Sequence, residues 1–134
     1  MESLTITKRK DTPTVNFNPE NNIFEISGKC HPENINIFFK PIMDWLDTFF
    51  EEIKNTNNNK IDLIFNFEYL NTASYKYLIE VMRKFYKFHS NNIPVEITWL
   101  YDEEDDDMKD SGVELFEMSD VKLPYKLKSF IDNN

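Results

Sequence analysis

The chain has 134 residues, with 24 Asp+Glu against 15 Lys+Arg and a formal net charge of −9 at pH 7. That is the length of one domain, and 40% hydrophobic with 15% aromatic residues is too much for a disordered chain. The acidic balance excludes a protein that works by neutralising nucleic-acid phosphates or by lying on an anionic membrane, and no apolar run nears the roughly 18–20 residues of a membrane span.

The first residues, MESLTITKRK, have charges without an apolar stretch and do not read as a signal peptide. Residues 1–12 read as a flexible N-terminal arm, and residues 13–130 as one domain. Thr14 to Asn18 alternates with period two, as does Ile23 to Cys30. With turn chemistry at Pro19 to Asn22 between them, they predict a β-hairpin. After His31-Pro32-Glu33-Asn34, apolar residues recur every three or four positions from Ile35 to Ile53, the spacing of an amphipathic helix. Pro41 is expected to kink or divide it. Asn55 to Lys60 reads as a polar loop.

Ile61 to Phe67 is a dense apolar run, the pattern of a strand buried on both faces. Tyr77, Leu78, Val81, Met82, Phe85 and Phe88 mark a second helix, ending near Ser90-Asn91-Asn92. Val95 to Tyr101 alternates as a strand. An unbroken acidic run, Asp102 to Asp107, precedes a short third helix marked by Met108, Val113, Leu115, Phe116 and Met118. Pro124 to Phe130 alternates as an optional last strand. The order ββαβαβα(β) predicts a single α/β domain: a mixed sheet of four to five strands packed against helices.

Chemistry has few places to sit. The two glycines, Gly28 and Gly112, cannot form a GxxxxGK(S/T) or GxGxxG phosphate cradle. The single cysteine, Cys30, excludes an internal disulfide and a zinc ribbon. Cys30 and His31 are chain neighbours, which a strand points to opposite faces, so they do not form a dyad. His31, Glu33 and His89 read as structural, and the aromatics of the first helix read as core. These features predict no cofactor, no catalytic group and a cytoplasmic setting.

Two stretches remain. In Asp102 to Asp107 no glycine stands where a calcium loop needs one, so the run reads as a solvated helix start or a docking patch. The corner Tyr69-Leu70-Asn71-Thr72-Ala73-Ser74-Tyr75-Lys76 joins the buried strand to the second helix, a position where ligands gather in α/β sheets. Asn71 or Thr72 reads there as a helix cap. Thr72 also reads as a phosphorylation site, where a phosphate would meet the positive end of the helix beside Lys76.

The motifs TVNFNP from Thr14, ISGKCHPEN from Ile26, FFKP from Phe38 with Trp45, FEYLNTASYK from Phe67 and WLYDEEDDDM from Trp99 together cover nearly the whole chain. In combination they resemble the SiaC family of bacterial regulatory phosphoproteins. The resemblance implies a non-enzymatic switch. A histidine-kinase-like Ser/Thr protein kinase phosphorylates a Thr in the corner motif, and a PP2C-type phosphatase reverses it. The unmodified form binds and activates a diguanylate cyclase, which affects cyclic di-GMP signalling and biofilm formation. By motif match the acceptor is Thr72. The partner-binding positions are then read as the surrounding Tyr69, Asn71, Ala73, Ser74 and Lys76, with Asp105 and Asp106 from the acidic run as a docking contribution. Ala73 departs from the family pattern, which usually has Ser there. The element order is also similar to the STAS domain of anti-sigma-factor antagonists, whose implied role is to sequester a kinase. A third reading, a metal-dependent hydrolase, requires Asp102 to Asp107 and His31 to gather a divalent cation.

Overall fold

The computed structural model describes residues 1–56 and 59–132. In chain order the elements are β1 (Leu4–Ile6), β2 (Thr14–Asn18), β3 (Ile23–Cys30), α1 (Ile35–Ile53), β4 (Ile61–Leu70), a 3₁₀ turn (Thr72–Ser74), α2 (Tyr75–Ser90), β5 (Val95–Asp102), α3 (Asp106–Met118) and β6 (Tyr125–Phe130). The strands form one sheet in the order β1-β2-β3-β4-β5-β6. β1, β2 and β3 pair antiparallel; β3 to β6 run parallel.

Six strands stand where four to five were expected. The additional one comes from the supposed arm: Leu4 pairs with Phe17 and Ile6 with Val15, placing both apolar side chains on the core side of the sheet. Residues 1–12 are thus tied to the sheet edge rather than forming a loose arm.

Alternation decides which face is buried. Val15 and Phe17, Phe24 and Ile26, Ile61 to Phe67 at every second position, and Val95, Ile97 and Trp99 all point to one side. α1 and α2 cover that side over β2 and β3, where Phe24 meets Phe17, Trp45, Phe49 and Phe85 at ring distances of 5.4 to 5.9 Å. α3 covers it over β5. There Trp99 donates its indole N–H to the Met108 carbonyl at 3.0 Å, and Gly112 lies so close that a Cβ would fall 2.6 Å from the indole. Helix against sheet at that distance requires glycine.

β4 is not buried on both faces. Ile61, Leu63, Phe65 and Phe67 are buried while Asp62, Ile64 and Asn66 are only half-buried, because all three helices pack on the same side. The other face carries Glu25, Ser27, Thr98, Leu100 and Lys126.

α1 neither divides nor stops at Pro41. A proline cannot donate to the carbonyl four residues earlier, here Ile37. Both residues are exposed, so water can serve that carbonyl. The aromatics of α1 do belong to the core, Phe39 and Phe49 buried and Phe38, Trp45 and Phe50 packed against it. The loop expected at Asn55 to Lys60 includes Asn57 and Asn58, which lie outside the described residues.

Candidate functional site

At the carboxyl end of the parallel strands, β3 and β4 fix the corner. A register shift between Gly28 and Lys29 lets the two strands stay paired to their ends, with Lys29 opposite Tyr69 and Cys30 opposite Leu70. Gly28 takes φ +106 there, a region open to glycine and strained for other residues. The pairing continues one residue further: the Asn71 N–H donates to the Cys30 carbonyl at 3.1 Å.

Asn71 is the cap. Its side-chain oxygen accepts from the Ser74 backbone N–H at 3.2 Å and from the Ser74 hydroxyl. Ser74 is fully buried, and its hydroxyl oxygen accepts in turn from the Cys30 thiol at 3.6 Å. Burial pushes the Cys30 thiol up from 9.0 to about 11, against the smaller lowering effect of the Ser74 hydrogen bond. The thiol is therefore a protonated donor at neutral pH, not a nucleophile.

Thr72 stands apart from this chain of bonds. It is exposed, and among the described residues its hydroxyl makes no hydrogen bond. The helix-cap role open to Asn71 or Thr72 on sequence grounds thus falls to Asn71, leaving Thr72 uncommitted. The two hydroxyls of the motif have opposite surroundings: Ser74 is structural and inaccessible, while Thr72 faces solvent. Ala73 is exposed as well; a serine there would add a second accessible hydroxyl without disturbing the cap.

Around Thr72 lie groups of mixed chemistry. Tyr69 is 51% exposed and receives His31 edge-on at 5.0 Å. His31 Nε2 lies 3.3 Å from Asp11 Oδ1, and the His31 N–H donates to the Asp11 carbonyl at 3.0 Å. Lys76 is exposed, with its ammonium 5.8 Å from the Tyr77 ring centre. The Tyr77 hydroxyl donates to the Asn36 side chain, so the first turns of α1 and α2 meet beside the corner. His31 and Cys30 belong to this site, although their residue types and spacing signalled nothing beyond structure. The signal lay in the ISGKCHPEN segment that carries the resemblance, and in position, at the end of the strand that pairs with the motif's own strand.

The acidic run divides. Asp105 is half-buried and caps α3, accepting from the Met108 N–H at 3.0 Å. Asp106 and Asp107 are exposed in the first turn, where carboxylates favour the helix dipole. Asp102 accepts from the Glu104 N–H at 2.8 Å. Asp105 and Asp106 thus stand at the same end of the sheet as the corner, but no hydrogen bond or ion pair among the described residues joins them to it. Among the described residues no three His, Cys, Asp or Glu side chains gather as a metal site. His31 is engaged at β3 with Asp11, so the hydrolase reading lacks its ligand set. Among the described residues no helix is long and apolar enough to cross a membrane.

Comparison with known proteins places this geometry. An uncharacterised protein of Pseudomonas aeruginosa (strain UCBPP-PA14) is 23% identical over 129 residues, 96% of this chain and 98% of that protein. The crystal structure of apo-SiaC from Pseudomonas aeruginosa superposes with a TM-score of 0.80 at 23% identity, covering 96% of this chain and 99% of that one. A chain in the crystal structure of the diguanylate cyclase SiaD in complex with its activator SiaC, from the same organism, gives a TM-score of 0.80 at 22% identity, over 95% of this chain and 99% of that one. At such identities the likeness carries the fold. The SiaC family regulatory phosphoprotein model itself matches residues 6–129, from β1 through β6, so this chain belongs to the SiaC family of regulatory phosphoproteins.

Proposed function

We propose that this protein is a non-enzymatic switch whose unmodified form binds and activates a diguanylate cyclase, and that phosphorylation of Thr72 releases it. The observation that carries the reading is the contrast at the corner: an exposed, uncommitted Thr72 hydroxyl on a backbone held by Asn71, Ser74 and Cys30. A kinase can reach that hydroxyl without unfolding anything. Family membership supports a regulatory phosphoprotein, and the SiaC of Pseudomonas aeruginosa, an activator in complex with its cyclase, supports the choice of partner. The kinase would be a histidine-kinase-like Ser/Thr protein kinase and the opposing enzyme a PP2C-type phosphatase.

The mechanism is local. A phosphate adds about −1.5 to −2 charge at pH 7. Thr72 precedes α2, whose first turn holds no acidic side chain, so the added charge sits near the positive helix end beside Lys76 and costs the fold little. A cyclase surface fitted to the unmodified Tyr69–Lys76 corner would meet added bulk and negative charge. Loss of fit and desolvation then shift the binding equilibrium. Asp105 and Asp106, at the same end, would add like charge on this side of the interface.

The test is phosphopeptide mass spectrometry on the protein from its native cells, beside Thr72→Ala. Phosphate on Thr72, absent in the variant, with cyclase capture retained by Thr72→Ala and reduced by Thr72→Glu, is the expected result. Wild-type protein that stays unmodified with its kinase present overturns the reading.

A further inference from the structure

A groove of about 570 Å³ lies between the loop after β1 and the first turns of α1. Its floor is apolar: Ile6, Phe38, Pro41 and Ile37, the last 70% exposed. Arg9 and Lys10 stand along one wall. The same two side chains, with Lys8, Lys29, Thr12 and Glu68, line a second hollow of about 510 Å³ on the other side of the loop.

Four cations therefore converge around one carboxylate, Glu68, on a chain of net charge −9. Elsewhere Lys40, Lys54, Lys60, Arg83, Lys84 and Lys126 are each matched by a carboxylate. Among the described residues Lys8, Arg9, Lys10 and Lys29 have no such match, as is also true of Lys76, Lys87, Lys109, Lys122 and Lys128; what sets the four apart is that they line one hollow together. Asp11 and Glu33 also border the groove, but Asp11 is already engaged by His31. Lys8 also faces Asp102 and Asp105 in a neighbouring hollow, but the four cations outnumber Glu68 and Glu33 along the two hollows, and an acidic ligand complements that local excess.

Side-chain contacts link the groove to the corner. Asp11 of the loop meets His31, and His31 meets Tyr69. On the other side, Asn36 in the first turn of α1 accepts from Tyr77 of α2. A segment lying in the groove runs towards Thr72, where a phosphate would confront its carboxylates.

We propose that this groove seats an acidic segment of the cyclase, with bulky apolar side chains on the Ile37–Pro41 floor and carboxylates against Arg9, Lys10 and the neighbouring Lys8 and Lys29. The proposal rests on the cyclase reading above and adds where the contact lies and what chemistry it takes. Acidic residues in that segment oppose a phosphate on Thr72, so one added charge acts on both the corner and the groove.

The test is titration calorimetry of the full chain with its purified full-length cyclase at about 0.05 and about 0.5 M salt. The variants are K8E/R9E/K10E, the neutralised pair R9Q/K10Q, I37A, and the control K122E/K128E at the far edge of the sheet. All five cations are exposed, as is Ile37, so each variant is expected to keep the wild-type melting midpoint. The charge reversal is expected to weaken binding at least about tenfold and to flatten its salt dependence. R9Q/K10Q and I37A should weaken it less, and K122E/K128E should leave it unchanged. If K8E/R9E/K10E loses its fold, R9Q/K10Q decides alone. Wild-type binding with no loss in R9Q/K10Q and I37A overturns the groove and leaves the cyclase reading standing. No wild-type binding overturns that reading and the groove with it.

Discussion

The aromatic layer beneath α1 and α2 and the corner that carries Thr72 are held in different ways. In the layer, Phe17, Phe24, Phe49, Phe85 and Phe88 touch one another through rings alone, and non-directional burial does the work. At the corner a few directional bonds, Asn71 to Cys30 and Ser74 to Asn71, set the backbone, and the residue they frame is itself unbound. The layer holds its own residues in place; the corner holds its neighbours so that one residue stays available. Such a corner needs little stability of its own, since its rigidity is borrowed from the paired strand ends.

Three measurements break or sharpen that contrast. The largest effect belongs to the layer. Phe24→Ala should lower stability by about 3–5 kcal/mol in chemical denaturation, as a large buried ring is replaced by a cavity. A loss under about 1 kcal/mol would mean the layer is not the mechanical base of the sheet.

The second effect comes from Cys30, which lies under the corner. Its folded-state pKa of about 11 exceeds the ordinary 9.0, so the folded protein holds the thiol proton more tightly. That contribution is complete below pH 9 and declines as pH rises towards 11. A two-unit displacement corresponds to about 2–3 kcal/mol. Urea unfolding at about pH 8 and about pH 10.5 should show a steeper alkaline decline for wild type than for Cys30→Ala. Parallel declines would remove Cys30 from the corner's support.

The smallest effects separate neighbours in one motif. Asn71→Ala removes the cap and should cost about 0.5–2 kcal/mol, whereas Thr72→Ala should stay within about 0.5 kcal/mol of wild type. Thermal melts of the two variants check this. Equal losses would mean that Thr72 also supports the fold and is not free to be modified.

Much of this architecture was legible in the sequence. Period-two alternation marked β2, β3 and β5 closely, and three-to-four spacing marked α1 and α2. Leu4–Ile6 gave no such signal, since three residues beside a basic run hold too little alternation; the pairing with β2 makes it a strand. β4 looked like a doubly buried strand because Ile64 continues its apolar run, yet the side of the sheet on which the helices fall is a tertiary matter. The corner was legible as a motif. Its division of labour was not, because the cap bond of Asn71, the burial of Ser74 and the approach of His31 all depend on β3 arriving alongside β4.

The strand order carries one more consequence, for how the chain assembles. In β1-β2-β3-β4-β5-β6 every neighbour in space is also the neighbour in sequence, so no strand has to insert between two already paired. Each loop to be closed spans at most one helix, which keeps closure entropy low. The sheet can zip outward from any adjacent pair. The Thr72 corner is finished as soon as β3 and β4 have met, while β6 can still be joining the far edge. A nascent chain thus frames the exposed Thr72 before its last strand, and that geometry survives fraying at either end of the sheet.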